Sequence, residues 1–187
     1  MVDAKNPDHR LSRDEWLKLA LEVVATKGHA KLRIHELVTH LGVTRGSFYW
    51  HFKNRDDFVC ALVDYYIHWS TDQVIYEVER VGGDAAQRLK TVMRIVAEHD
   101  LGRYDSAMMS WGAQEPIVSE SFEIAIQRRI EFIRSFFVQL GFGGQELETR
   151  TLAFVGYMSL VHSGSDPRAR RTHLKHLDER HAVLTGS

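Results

Sequence analysis

Gly42-Val43-Thr44-Arg45-Gly46-Ser47-Phe48-Tyr49-Trp50-His51-Phe52-Lys53-Asn54-Arg55-Asp56-Asp57-Phe58 is the stretch on which the reading of this chain turns. Gly42-Val43 makes a tight break. Thr44 can cap a short helix by accepting a bond from a first-turn amide. Phe48 and Phe52 stand four residues apart, so they share one side of that helix. The opposite side then carries Thr44, Arg45, Ser47, Tyr49, Trp50, His51 and Lys53. Asn54 can cap the next helix, with Asp56 and Asp57 complementing its positive end.

Two helices are expected before this stretch. Ser12-Arg13-Asp14-Glu15 has the spacing of a capping box, in which Ser12 caps and Glu15 reaches back. Trp16, Ala20, Val23 and Val24 follow at helical spacing, and Lys27-Gly28 is a stop, with Gly28 able to take the left-handed conformation. A second helix is expected over about residues 33–41, with Ile34, Leu37, Val38 and Leu41 as its apolar stripe. The frame is helix-turn-helix. Residues 1–11 are polar and charged and read as a mobile tail.

The same spacing continues beyond it. A fourth helix is expected from about Arg55 to Val81, ended by Gly82-Gly83, and a fifth from its cap Asp84 to about Asp100. A sixth covers Tyr104 to Gln114, and Pro116 opens a seventh that runs to Leu140. After the Gly141-Phe142-Gly143-Gly144 break, an eighth spans Gln145 to His162, and Asp166-Pro167 starts a ninth. With three prolines in 187 residues, the expected fold is all-α. A three-helix helix-turn-helix domain (1–57) would precede a second helical domain (58–187), about nine helices in all.

Composition narrows the function classes. The net charge is −1, so bulk charge is no argument for nucleic acid. Residues 1–57 hold ten Lys+Arg against eight Asp+Glu, with five histidines besides. That slight excess allows DNA binding without demanding it. Cys60 is the only cysteine, which excludes an internal disulfide and a cysteine-based zinc cluster. It reads as a small buried hydrophobe. No apolar run approaches the ~20 residues of a membrane span. The polar start, Met1 to Arg10, is no secretory signal, so the expected compartment is the cytoplasm.

The third helix carries the chemistry. Hydroxyls, amides and cations anchor on phosphates, and one or two side chains reach base edges. Gly46 removes bulk where such a helix could approach a groove closely. The bland alternative is a short helix of any helical bundle with an exposed aromatic patch. Tyr49 beside Trp50, among so many donors, favours a contact surface.

The 17 residues from Gly42 to Phe58 resemble the signature of the TetR regulators. That family shows a glycine-valine turn, a Ser/Thr cap, then Tyr-x-His-Phe-Lys-x-Lys and an acidic-apolar start to helix four. Residues from about 10 to 60 match in spacing as well as type; the remainder matches only in length and helical pattern. The resemblance implies that Thr44, Tyr49, His51 and Lys53 hold phosphates. Arg45, Ser47 and Trp50 would face bases, with Gly46 allowing close approach. Val43, Phe48 and Phe52 would be structural. Family members often carry Ser/Thr near the start of helix two; here Lys31-Leu32-Arg33 stands there, and Arg33 could supply a charge-assisted phosphate bond instead.

The resemblance also implies a homodimer on double-stranded DNA with a palindromic operator. A small-molecule effector would release it, so repression is the expected sign. Pocket candidates are Trp69, Met93, Met108, Trp111, Phe154 and Met158, although Met and aromatic stripes usually just fill cores. The dimer contact is expected on the eighth and ninth helices, where Leu147, Thr151, Phe154, Val155, Met158 and Leu160 make a wide apolar arc. The same arc would also suit a helix central in a monomer.

Other classes leave weaker traces. His173, His176 and His181, with Asp178 or Glu179, have a spacing that zinc could use. Ser163-Gly164-Ser165 beside His162 hints at a nucleophile, but no strand-turn-helix frames it. A helical adaptor or ligand-binding protein that merely retains the helix-turn-helix is the remaining alternative. No enzyme activity, metal or cofactor is expected.

Overall fold

A computed structural model describes residues 11–160, 171–172 and 174–186, and within them every regular element is helical. The elements are α1 (Arg13–Lys27), a short 3-10 turn (His29–Lys31), α2 (Ile34–Leu41), α3 (Arg45–His51) and α4 (Arg55–Ile67). A π-turn (His68–Asp72) follows, then α5 (Gln73–Val81), α6 (Ala85–Glu98), α7 (Leu101–Gly112), α8 (Pro116–Gln139), α9 (Gly144–Leu160) and α10 (Leu177–Thr185).

Local chemistry accounts for the helix ends. Ser12 and Glu15 form the full capping box at α1, and Asp84 with Gln87 forms another at α6. Thr44 caps α3 and Asn54 caps α4 through side-chain oxygens. Gly42 closes α2 in the left-handed conformation, at φ 67° and ψ 27°. Gly28 also has positive φ but an extended ψ of 158°, so it ends α1 by turning away rather than as a left-handed cap.

Two expectations are corrected. The fourth helix is one rod from Arg55 to Val81 only if the π-turn at its middle is included. There the Gln73 amide donates to the His68 carbonyl, five residues back. The sixth helix starts at Leu101, three residues early. Asp100 supplies the reversal from α6, at φ 51°, the only non-glycine positive φ among the described residues. The start of the ninth helix, at Asp166-Pro167, lies outside the described residues, as do the tail 1–10 and Ser163-Gly164-Ser165.

Two apolar cores result. The first centres on Trp16, Phe48, Phe52 and Phe58, and extends through Leu62 and Tyr66 of α4 to Met108 and Trp111 of α7. It therefore runs continuously across residue 58. The second joins α5, α6, α8 and α9 around Val78, Leu89, Phe137 and Phe154, and α10 packs on α6 and α9. Cys60 is half-buried.

Candidate nucleic-acid interface and inner cavity

Helix α3 is anchored by its aromatic side. Phe48 and Phe52 are buried beside Trp16 and Phe58, with ring centroids 5.7 Å apart for Trp16–Phe48 and 5.0 Å for Phe52–Phe58. Edge-to-face contacts of this kind add about 0.5–1.5 kcal/mol each beyond area burial. Trp16 Nε1 donates to Ser47 Oγ at 3.4 Å, tying α1 to the first turn of α3.

The other side of α3 is open. Tyr49 is 56% exposed and Trp50 73%, while Arg45, Gly46 and Lys53 are exposed as well. Thr44, Gly46, Ser47, Trp50 and His51 line a shallow depression on this face. A Cβ added at Gly46 would meet only Thr44 Oγ1, at 3.6 Å. The protein's own packing thus gives no reason for glycine there, whereas a surface that must come very close to the helix does. Arg33 is exposed at the N-cap of α2, without a side-chain capping bond.

His51 is placed differently from its neighbours. It is half-buried, and its Nε2 lies 2.7 Å from the Leu11 carbonyl oxygen. With that nitrogen protonated to donate, Nδ1 of the neutral ring is an acceptor. His51 can therefore donate to a phosphate only as an imidazolium. Its constant role is to hold the chain before α1 against α3.

Helices α2 and α3 are joined to the body through α1 and α4. Arg103 of α7 forks onto Glu22 of α1 at 2.9 and 2.8 Å, and the Tyr104 hydroxyl donates to the same carboxylate at 2.7 Å. Burial works against the Arg103 charge, but the bond to Glu22 and the neighbouring Tyr104, Glu22 and Asp100 hold its pKa above the ordinary value. His29 stacks on Trp111 at 6.2 Å, and Arg55 pairs with Glu115 at 2.6 Å.

Within the body, an apolar cavity lies between the π-turn and helices α5 to α9. Phe154 and Met158 line it. Trp69, Met93, Met108 and Trp111 do not. Met93 is fully buried in the second core, Met108 and Trp111 sit in the first, and Trp69 lies edge-on to Tyr104 at 4.9 Å.

What the cavity holds instead is a buried polar cluster. Arg129 of α8 donates through Nη1 to Asp105 Oδ2 of α7 at 2.6 Å, and through Nε to Thr71 Oγ1 at 2.9 Å. Its Nη2 reaches Ser70 Oγ at 2.9 Å, and Tyr66 of α4 donates its hydroxyl to Asp105 Oδ1 at 2.6 Å. Burial pushes the Tyr66 phenol far above its usual pKa, so it stays neutral. Burial alone would lower the Arg129 pKa, but Tyr66 and Asp105 hold it above the ordinary arginine value. Arg129 thereby satisfies the π-turn from the side, at both Ser70 and Thr71.

Among the described residues, no three His, Cys, Asp or Glu side chains are grouped to hold a metal. His181 is engaged by the Ala86 carbonyl at 2.8 Å, His176 pairs with Glu179 at 3.6 Å, and His173 lies outside the described residues. No helix among the described residues is long and apolar enough to cross a membrane.

Residues 17–62, from α1 to the first turns of α4, match the family described as bacterial regulatory proteins, tetR family. This N-terminal segment has the tetR-family pattern. The chain is 33% identical over 60 residues to the transcriptional regulator AcuR of Cereibacter sphaeroides, covering 32% of this chain and 27% of that protein. It is 29% identical over 62 residues to the HTH-type transcriptional regulator YerO of Bacillus subtilis, covering 33% and 22%. The matched part spans about a quarter of those relatives. Over nearly its whole length the chain has the fold of AibR, solved with isovaleryl coenzyme A and operator DNA: TM-score 0.74, 16% identity, covering 93% of this chain and 98% of that one. The ketosteroid transcriptional regulator KstR2 of Mycobacterium tuberculosis gives 0.67 at 15% identity, covering 97% and 95%.

Proposed function

We propose that this protein is a DNA-binding transcriptional regulator of the TetR family, a repressor that leaves a palindromic operator when a small molecule enters the inner cavity. The observation that carries the reading is the uncovered face of α3, where hydroxyl, ring, cation and bare backbone stand together on a rigid aromatic anchor. In this reading Thr44, Tyr49 and Lys53 take phosphates, joined by Arg33 and by protonated His51. Arg45, Ser47 and Trp50 face the bases. The protein acts in the cytoplasm and by binding, not by catalysis.

The cavity supports regulation because its polar cluster is built on the π-turn of the rod that continues into the reading domain. An effector that prefers one arrangement of that rod lowers DNA affinity by its differential affinity for the two arrangements.

Lys53→Ala tests the DNA reading. In a gel-shift salt series on DNA flanking its own gene, it should weaken binding on every sequence and reduce the salt slope by about 0.9, one phosphate's worth. An unchanged slope removes Lys53 from the interface. If the unmodified protein shows no salt-dependent, sequence-selective binding at all, the adaptor alternative is the better description.

The functional unit in this reading is a homodimer, which places two reading helices in half-sites about 34–36 Å apart. The apolar arc of α9 does not supply the contact, since Leu147, Thr151, Phe154, Val155 and Met158 are all buried within the protomer. The outward surface of α8 and α9 favours it instead: Leu152 is 57% exposed, Val138 49%, and Ala153 is exposed beside the half-open Gly156. Leu152→Arg should yield monomer in sedimentation velocity and lose affinity for a palindrome more than for a half-site. A Leu152→Arg protein that stays dimeric moves the interface elsewhere.

A further inference from the structure

We infer that the inner cavity selects an uncharged amphiphile: an aliphatic or alicyclic body with one oxygen acceptor at its polar end. This rests on the cavity's role as the effector site, and names the chemistry that role requires. Most of the lining is aliphatic or aromatic, with Val96, Ile133, Phe154 and Val155 among it. Such a surface is matched by a ligand body without polar groups.

The polar end decides the charge. Arg129 and Asp105 are the only ionisable residues in the lining, and they are paired with each other at 2.6 Å. The cationic guanidinium is engaged by Asp105, Thr71 and Ser70, and the carboxylate by Arg129 and Tyr66. The pair presents no net charge to a guest. A carboxylate or ammonium entering there would leave water without gaining an opposite charge, which is costly in an apolar enclosure. Among the described residues, the lining leaves hydroxyl donors over at Thr71 and Ser159, beside the second Nη1 hydrogen of Arg129. The Thr71 hydroxyl accepts from Arg129 Nε and, among the described residues, donates to none, although Thr71 is only 1% exposed. Its proton is available to an alcohol or carbonyl oxygen.

The test uses a matched pair of probes, 1-octanol and octanoate, titrated into the full-length protein near neutral pH. The readouts are calorimetry and the unfolding midpoint. Octanol should bind at least about tenfold more tightly than octanoate, the discrimination expected when one partner must bury an unpaired charge. Val155→Phe, which fills the cavity, should abolish the octanol signal. Asp105→Asn should reverse the preference, because Arg129 then faces the cavity with an uncompensated charge and octanoate supplies the missing carboxylate. If that variant does not fold, the wild-type preference and the Val155→Phe result decide alone. Octanoate binding wild type as well as octanol overturns the inference, as does octanol binding undiminished by Val155→Phe or no binding of either probe. The Lys53 salt series is independent of all three results, so the DNA reading stands or falls separately.

Discussion

Asp105→Ala should destabilise the folded protein by about 3–5 kcal/mol, the usual cost of stranding one charge of a buried pair. For a chain of this size that corresponds to a fall of roughly 6–20 °C in the unfolding midpoint. The magnitude follows from which partner is left behind. Asp105 is 3% exposed, and its removal takes from Arg129 the one full negative charge it touches. A carboxylate left alone could take up a proton, but a guanidinium cannot shed one. The hydrogen bonds to Thr71 and Ser70 remain, and they supply no charge. Removing both partners tells the pair's net worth from the cost of breaking it. Asp105→Leu with Arg129→Met leaves no buried ion, so the double variant should be far less destabilised than Asp105→Ala despite losing more hydrogen bonds. Thermal or urea unfolding of wild type, Asp105→Ala and the double variant checks this. A single variant costing less than ~1 kcal/mol would mean that water reaches the guanidinium.

That buried pair was legible in principle. In α8 the stripe Phe122, Ile126, Ile130, Ile133, Phe137 is apolar, and Arg129 lies three residues after Ile126 and four before Ile133, on the core-facing side. Asp105 holds the equivalent position in α7, four after Leu101 and three before Met108. Two opposite charges at core spacing on neighbouring helices are a stronger pocket signal than Met and aromatic residues, which here mostly fill the two cores. The π-turn was not legible. His68 to Asp72 carries no glycine or proline, and the extra residue is tolerated because Arg129, 57 positions further on than Asp72, satisfies the side of the turn. No local pattern contains that information. The reading head was the opposite case. Its caps, glycine turn and aromatic anchor are all short-range, so helix limits there agree within a residue or so, and only the engagement of His51 by Leu11 needed the tertiary structure.

Arg45→Ala should lower affinity for the preferred operator by about 1–3 kcal/mol, or roughly 5- to 150-fold, while leaving binding to random DNA nearly unchanged. Arg45 opens α3 directly after the Thr44 cap, at the end of the helix that, in the proposed reading, enters a groove first. It is exposed there, one residue from a glycine that keeps the surface beside it low. A guanidinium so placed can span the two acceptors of a guanine edge, a bidentate contact that alanine cannot make and lysine makes with poorer geometry. The contrast with Lys53 is the discriminating part. Lys53 stands at the far end, beyond the last turn of α3, with its backbone amide fixed by Asp57 at 2.8 Å, where in the proposed reading a flexible ammonium would meet phosphate on any sequence. The two substitutions should therefore separate in a selection of bound fragments from a random pool. Lys53→Ala should return the wild-type motif at lower yield, and Arg45→Ala should return a motif degenerate at one position in each half-site. If Arg45→Ala weakens specific and random DNA by the same factor, Arg45 is a phosphate anchor, and base reading passes to Ser47 and Trp50.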